Sequence, residues 1–267
     1  MTDRPVPPER LGTWMYAAAG TDTVAAGPLA GVTGVAGEPV RVIEEAGLVA
    51  AVGDVDLADF GAEALRRHLE DLDWLAARTR AHHAVVTAVA ARGPVLPLRF
   101  ASVYLGEDRV RALLAGRRDD LRAALRRVVG RSEWGVKAYA AGSPAGAPAG
   151  TGEPAAESRP GTAYLRRRQA DLAAREEARR AATDQAERVD DALRRLAVAG
   201  RRHPPQDARL SGKPHRMVLN SSYLVDDGRA DEFTATVGSL AGRHPGVQLE
   251  LTGPWPPYSF ADVPGAS

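Results

Sequence analysis

Two small α+β sandwiches of the ferredoxin-like kind are what this sequence predicts, and three observations predict them. Strand and helix signals alternate in short units, once over roughly residues 11–140 and again from residue 215 onward. A small-residue break, "AGSPAGAPAGTGEPAAESRPG" at 141–161, separates the two blocks as a Pro/Gly/Ala-rich linker. Beyond it, "TAYLRRRQADLAAREEARRAATDQAERVDDALRRLAVA" (162–199) contains neither Gly nor Pro and reads as one long helix. The expected organisation is therefore a domain over 1–140, a linker over 141–161 and a second domain over 162–267.

The elements follow from local pattern. "TWMYAAA" (13–19) is a short strand rich in large apolar groups. "PVRVIEEAGLVAAVGDV" (39–55) has two apolar runs split by Glu44-Glu45-Ala46-Gly47, a hairpin signal. From Gly61 to Arg92 the apolar residues Leu65, Leu69, Leu72, Leu75, Val85, Val86 and Val89 recur at three- and four-residue steps, which predicts a helix ended by Gly93-Pro94. "VLPLRFASVYL" (95–105) predicts a strand with Pro97 at an edge or a bulge. A helical stretch spans Glu107–Val129, and "EWGVKAYAA" (133–141) is a strand.

In the long helix, Ala182, Ala186, Val189, Leu193 and Leu196 step by four and three as a heptad-like stripe. Arg168, Arg175 and Arg179 fall where the same stripe would want bulky apolar residues, so the N-terminal half projects into solvent or meets a partner. Glu176–Arg180, Asp190–Arg194 and Asp191–Arg195 are ordered i,i+4 pairs that mainly solubilise it. "GRRHPPQDARLSGKP" reads as a loop. A strand ("HRMVLNSSYLVDD", 215–227), a helix (Arg229–Arg243, with Phe233, Val237 and Leu240 on one face) and a strand ("GVQLELTG", 246–253) follow.

Composition narrows the function. The 35 basic and 34 acidic residues nearly cancel, which argues against a nucleic-acid or membrane-surface binder. Only Lys137 and Lys213 are lysines, an arginine bias that GC-rich codon usage explains. With no cysteine there is no disulfide, thiolate metal site or cysteine nucleophile. "MTDRPVPPER" lacks a signal-peptide layout and no apolar run reaches the ~20 residues a membrane span needs, so a cytoplasmic protein is expected.

The search for chemistry predicts no catalytic, cofactor or metal residues. His82 and His83 lack a ligand-type residue three or four positions away and read as packed or capping histidines. GxSxG, P-loop and dinucleotide motifs are absent, and "GPLAGVTGVAGEP" (27–39) reads as a loose glycine-rich loop. The eight arginines and four acids of residues 105–131 read as a solvated helix face.

Two stretches carry more specific information. "HHAVVTAVAARGPVLPLRFASVY" (82–104) resembles the signature of the gas vesicle protein F/L family, in which a histidine-bearing helix leads into a Pro-Leu-Arg-Phe strand. "MVLNSSYLVDDGRADEFTATVGSLAGRHPGVQLELTGPWPPYSFA" (217–261) is similar to that family's C-terminal signature, and "GLVAAVGDV" fits its N-terminal region. Ala101 departs from the pattern, where Gly commonly follows the Arg-Phe pair.

The resemblance implies a ferredoxin-like N-terminal domain and a C-terminal α+β domain with a long coiled-coil-like helix. It implies a non-enzymatic accessory or minor structural protein of gas vesicle formation, of F or L type. Such a protein is expected in the cytoplasm in association with gas vesicles, where it meets the hydrophobic shell protein and other accessory proteins. A small-molecule-binding regulatory module is the alternative reading, and an enzyme the third.

Candidate partner-contact residues are Pro97, Arg99 and Phe100 of the signature strand, Tyr164, Leu165 and Leu172 of the long helix, and Trp255 and Tyr258 of "GPWPPYSFA" (253–261). That proline-stiffened segment is read either as an internal strap over a core poor in aromatics or as a partner-facing patch.

Overall fold

The computed structural model describes residues 10–24, 29, 31–141, 160–206 and 215–261. They form two compact units, one of the residues up to Glu133 together with the segment from Pro254, the other of Trp134–Gly253. Each is a mixed helix-and-sheet body built on an antiparallel sheet. The expected linker lies outside the described residues, apart from Ala141 and the start of the long helix.

In the first unit, β1 (Leu11–Gly20) is followed by the short α1 (Thr21–Val24) and by the hairpin β2 (Arg41–Glu45) and β3 (Leu48–Asp56). The hairpin turn is Ala46-Gly47 at φ 53° and 72°, the left-handed pair that a two-residue turn between twisted strands requires. The strand order is β2-β3-β1-β4, with β4 (Val95–Pro97) and β5 (Val103–Tyr104) both pairing with β1.

A β-bulge shapes the central strand. Met15 pairs with Val52 but Ala17 with Ala51, so Tyr16 is the extra residue. Strand side chains otherwise alternate between faces. The bulge lets Trp14, Tyr16, Ala17 and Ala19 all contribute to one core, which two-residue periodicity forbids.

That core is closed by helices from the next segment. The sequence predicts one helix from Gly61 to Arg92; two are found there, α3 (Ala62–His68) and α4 (Leu72–Ala90), after a short α2 (Leu57–Phe60). The predicted helix breaks at Asp71, which caps α4 by accepting from the Asp73 and Trp74 N–H groups, and Asp56 caps α2 in the same way through Ala58 N. Val85, Val86 and Val89 of α4, with Phe60 and Leu65, pack on the Trp14 face. The opposite face presents Met15, Ala18, Ile43, Ala50, Val52 and Leu96, all buried. It is covered by α5 (Glu107–Gly116) and α6 (Arg118–Val128), which replace the single helical stretch expected there.

The second unit orders its strands β7-β8-β6-β9: β6 is Arg131–Ala140, β7 Ala199–Arg202, β8 Met217–Asp226 and β9 Val247–Trp255. The unit boundary falls within β6 and again within β9. β7 is a correction, since "AGRR" sits where the last residue of the long helix and the start of a loop are expected, and it has no apolar alternation to betray a strand; the helix itself stops at Arg194. The long helix α7 (Pro160–Arg194) and α8 (Ala230–Arg243) pack on this sheet. Ala182, Ala186, Val189 and Leu193 of α7 meet Phe233, Val237 and Leu240 of α8 and Leu219, Tyr223 and Val225 of β8.

Asp190 is not the solvated half of a surface pair that its spacing to Arg194 suggests. It is 5% exposed and accepts a hydrogen bond from the Tyr223 hydroxyl, while its other oxygen accepts from Arg194 at 3.0 Å and pairs with the Arg202 guanidinium at 3.6 Å. One carboxylate thereby ties α7 to β8 and β7. Burial, with the adjacent carboxylate, pushes the Tyr223 phenol well above the usual tyrosine range, so it stays a donor. Asp190→Ala orphans the buried Tyr223 hydroxyl, while the part-exposed Arg194 keeps the Gly200 carbonyl, and chemical denaturation is expected to show a loss of about 1–3 kcal/mol. A loss below about 1 kcal/mol would mean the carboxylate is as dispensable as an exposed pair.

Candidate functional site

The signature residues converge on His82. This histidine, on the buried face of α4, is 3% exposed. Its Nδ1 lies 3.1 Å from the Trp14 indole nitrogen, which can only donate, so Nδ1 is the bare acceptor. Its Nε2 lies 3.2 Å from the Leu98 carbonyl, which can only accept, so Nε2 carries the proton. The ring is thus neutral and fully satisfied, joining α4, β1 and the chain after β4. Phe100 stacks edge-on against Trp14 at 5.1 Å and against His82 at 5.9 Å between ring centres.

The expected strand over 95–105 is interrupted here. Ala17 pairs with Pro97 and Trp14 with Val103, so the five residues 98–102 stand opposite Met15 and Tyr16. Both ends of the excursion are tied, Leu98 N to Tyr16 O and Met15 N to Ser102 O, each at 2.9 Å. Ala101 sits at φ 66°, in the left-handed region where a Cβ costs about 1–2 kcal/mol. This chain therefore bears the strain of an alanine in a left-handed turn, where glycine would carry none.

The aromatic segment after β9 folds onto the same unit as a strap. Phe260 is buried and its carbonyl accepts from Arg127 at 2.7 Å. Ser259 donates twice to the buried Glu133 carboxylate, from its backbone N–H at 2.7 Å and its hydroxyl at 2.6 Å. Tyr258 packs against the Trp14 core, with its hydroxyl 3.2 Å from His83 Nδ1. Trp255, 42% exposed, leans on the His83 ring at 5.3 Å.

The loop read as loose is ordered over residues 31–39. The Tyr16 hydroxyl donates to Glu38 and accepts from Val35 N at 2.8 Å, while Ala36 N donates to Glu38 at 2.7 Å. A Cβ at Gly34 or Gly53 would collide with the Glu38 side chain, which explains both glycines.

Of the eight candidate contact residues, the structure brings Phe100 and Tyr258 together around His82, with Trp255 beside its neighbour His83. Pro97 is buried in β4 and Arg99 is exposed in the excursion that follows. Tyr164, Leu165 and Leu172 belong to the second unit, in the N-terminal half of α7, at 61%, 58% and 58% exposure. Sequence reasoning missed Trp14, Glu38, Glu133 and Asp190. The signal for Glu133 and Asp190 was faint, because an acid in a strand or on a helix stripe reads as surface. Among the described residues no three His, Cys, Asp or Glu side chains converge, and no helix is long and apolar enough to cross a membrane.

Burial drops the His82 pKa from 6.5 to about 4. Between those values the unfolded chain binds a proton that the folded chain refuses. Stability is therefore highest above pH ~6.5 and falls by up to the order of 3 kcal/mol as pH drops toward ~4. His82→Gln is expected to be less stable at pH 7 yet to lose that part of the acid dependence. Urea titrations of both proteins across this window check it, and parallel pH curves would contradict it.

Comparison with known proteins gives this architecture a family. The family described as gas vesicle synthesis protein GvpL/GvpF matches residues 12–262. Gas vesicle protein L of Streptomyces sp. (strain CB03234) is 46% identical over 235 residues, covering 87% of each chain. Gas vesicle protein F of the same strain is 29% identical over 243 residues, covering 84% of this chain and 89% of its own. The crystal structure of GvpF from Anabaena sp. PCC7120 superposes with a TM-score of 0.63 at 19% identity, covering 95% of this chain and 97% of that one. With the histidine-bearing helix, the Pro-Leu-Arg-Phe excursion and the aromatic strap all in place, the chain belongs to the gas vesicle GvpL/GvpF family.

Proposed function

We propose that this chain is a non-enzymatic accessory or minor structural protein of gas vesicle formation, which binds the hydrophobic shell protein and other accessory proteins in the cytoplasm during nucleation or assembly. Family membership supports the vesicle role. The observation that carries the binding role is the N-terminal half of α7, a helical arm of about 25 Å whose apolar side chains Tyr164, Leu165 and Leu172 stay in water. Arg99 and Trp255, the exposed members of the first unit's candidates, form a second contact region, with Pro97, Phe100 and Tyr258 as its underlying support.

In this reading the first unit is a ferredoxin-like fold with an added helical layer. The antiparallel order β2-β3-β1-β4 supports it. The heptad-like stripe of α7 supports a coiled-coil-like use of that helix. The alternative of a metabolite-binding module gains little from the pocket lined by Ala17, Leu29, Val49 and Val89, which has room for about one water.

Affinity capture with the tagged full-length chain from cells making gas vesicles is expected to retain the shell protein, and a deletion strain is expected to lack normal vesicles. Failure to retain any vesicle component, together with normal vesicles in the deletion strain, would overturn the proposal.

A further inference from the structure

From Tyr164 to Arg175 every side chain of α7 is exposed. The stripe that seats Ala182, Ala186, Val189 and Leu193 on the sheet nevertheless continues through this stretch. Stepping back by threes and fours it passes Arg179, Arg175, Leu172, Arg168 and Leu165. The arm thus extends, in register, a face already used for packing within the unit. Leu165 and Leu172 lie one heptad apart, about 10 Å along the axis, and are successive positions of one seam.

The seam itself holds three arginines, Arg168, Arg175 and Arg179, with Asp171 and Glu176 at its margins. Residues 164–180 carry six arginines and three acids. Arg179 and Arg180 share a single oxygen of Glu176, at 2.8 and 3.3 Å. Among the described residues Arg168 bonds only the Tyr164 hydroxyl, and Arg175 has no carboxylate partner. Where the arm leaves the sheet, Arg216 joins Arg179 and Arg180, with Thr183 and Asp184, in lining one groove.

We propose that this face docks an acidic amphipathic helix of a partner protein. Apolar residues spaced three and four apart on that helix cover Leu165 and Leu172, and its flanking carboxylates meet Arg168, Arg175 and Arg179. A second copy of α7 is the wrong occupant, because pairing the seam with itself sets arginine against arginine. The inference rests on the reading of the chain as a binding protein and names the chemistry of the partner at this arm.

The test uses the full-length chain and two labelled synthetic helices with the same leucine seam, one flanked by glutamates and the other by lysines. Fluorescence anisotropy is expected to show the acidic probe binding, with affinity falling as salt rises. Arg168→Glu/Arg175→Glu should weaken that binding at least about tenfold and transfer binding to the lysine probe. Both residues are exposed, so the melting temperature of the double variant should stay unchanged. Absence of acidic-probe binding, equal binding of both probes, indifference to the double substitution, or occupation of the arm by a second copy in sedimentation would each overturn it. Affinity capture separates this from the parent reading. A wild-type chain that retains no vesicle protein, with normal vesicles in the deletion strain, contradicts the parent, whereas retention undiminished by the double substitution contradicts only the assignment of the arm.

Discussion

The first unit hangs on a neutral imidazole held between one obligate donor and one obligate acceptor. His82 takes the Trp14 indole N–H on one nitrogen and gives its own N–H to the Leu98 carbonyl on the other. Helix α4, the central strand and the signature excursion are thereby fixed by one side chain in an apolar setting where an unmade hydrogen bond is costly. Phe100 and Tyr258 then gain a defined surface to pack on, so the signature and the aromatic strap are two parts of one arrangement. Phe100 and Tyr258, among the most recognisable residues of the chain, thus pack against the core of the first unit.

A second device recurs in both units. In each, a tyrosine of an interior strand donates to a carboxylate that the surrounding chain satisfies: Tyr16 to Glu38 and Tyr223 to Asp190. Burial together with the nearby carboxylate raises both phenols far above the usual range, so they remain protonated donors. Such pairs specify geometry more than they add stability, because the cost of dehydrating the carboxylate offsets much of the bond. Glu38 orders a glycine-rich turn, and Asp190 anchors the packed half of α7 while its other half extends into water.

Much of this was legible in the sequence wherever a repeating pattern met a single environment. The hairpin at Ala46-Gly47, the α8 stripe of Phe233, Val237 and Leu240, and the β9 alternation of Val247, Leu249 and Leu251 all follow local rules. What escaped depended on distant partners. The bulge at Tyr16 shows in no composition signal, since "WMYAAA" is apolar on either face. The breaks before α4 and α6 were hidden because the leucine spacing continues across caps and turns. β7 lacks a core residue of its own and is a strand only because β8 offers it an edge. Of the candidate contacts, the motif that drew attention to Pro97, Phe100 and Tyr258 could not separate packing from binding. On α7 the sequence already showed arginines in a seam, and the structure adds that nothing in the unit covers them from Tyr164 to Arg175.

The protonation state of His82 tests the central claim most directly. Nitrogen-15 NMR of histidine-labelled protein at pH 6, assigned with a His82→Gln control, distinguishes the two neutral tautomers from imidazolium. A neutral ring protonated at Nε2, unchanged down to about pH 5, is the result this architecture requires. An imidazolium at pH 6, or a ring protonated at Nδ1, would place two donors face to face at Trp14 and contradict it.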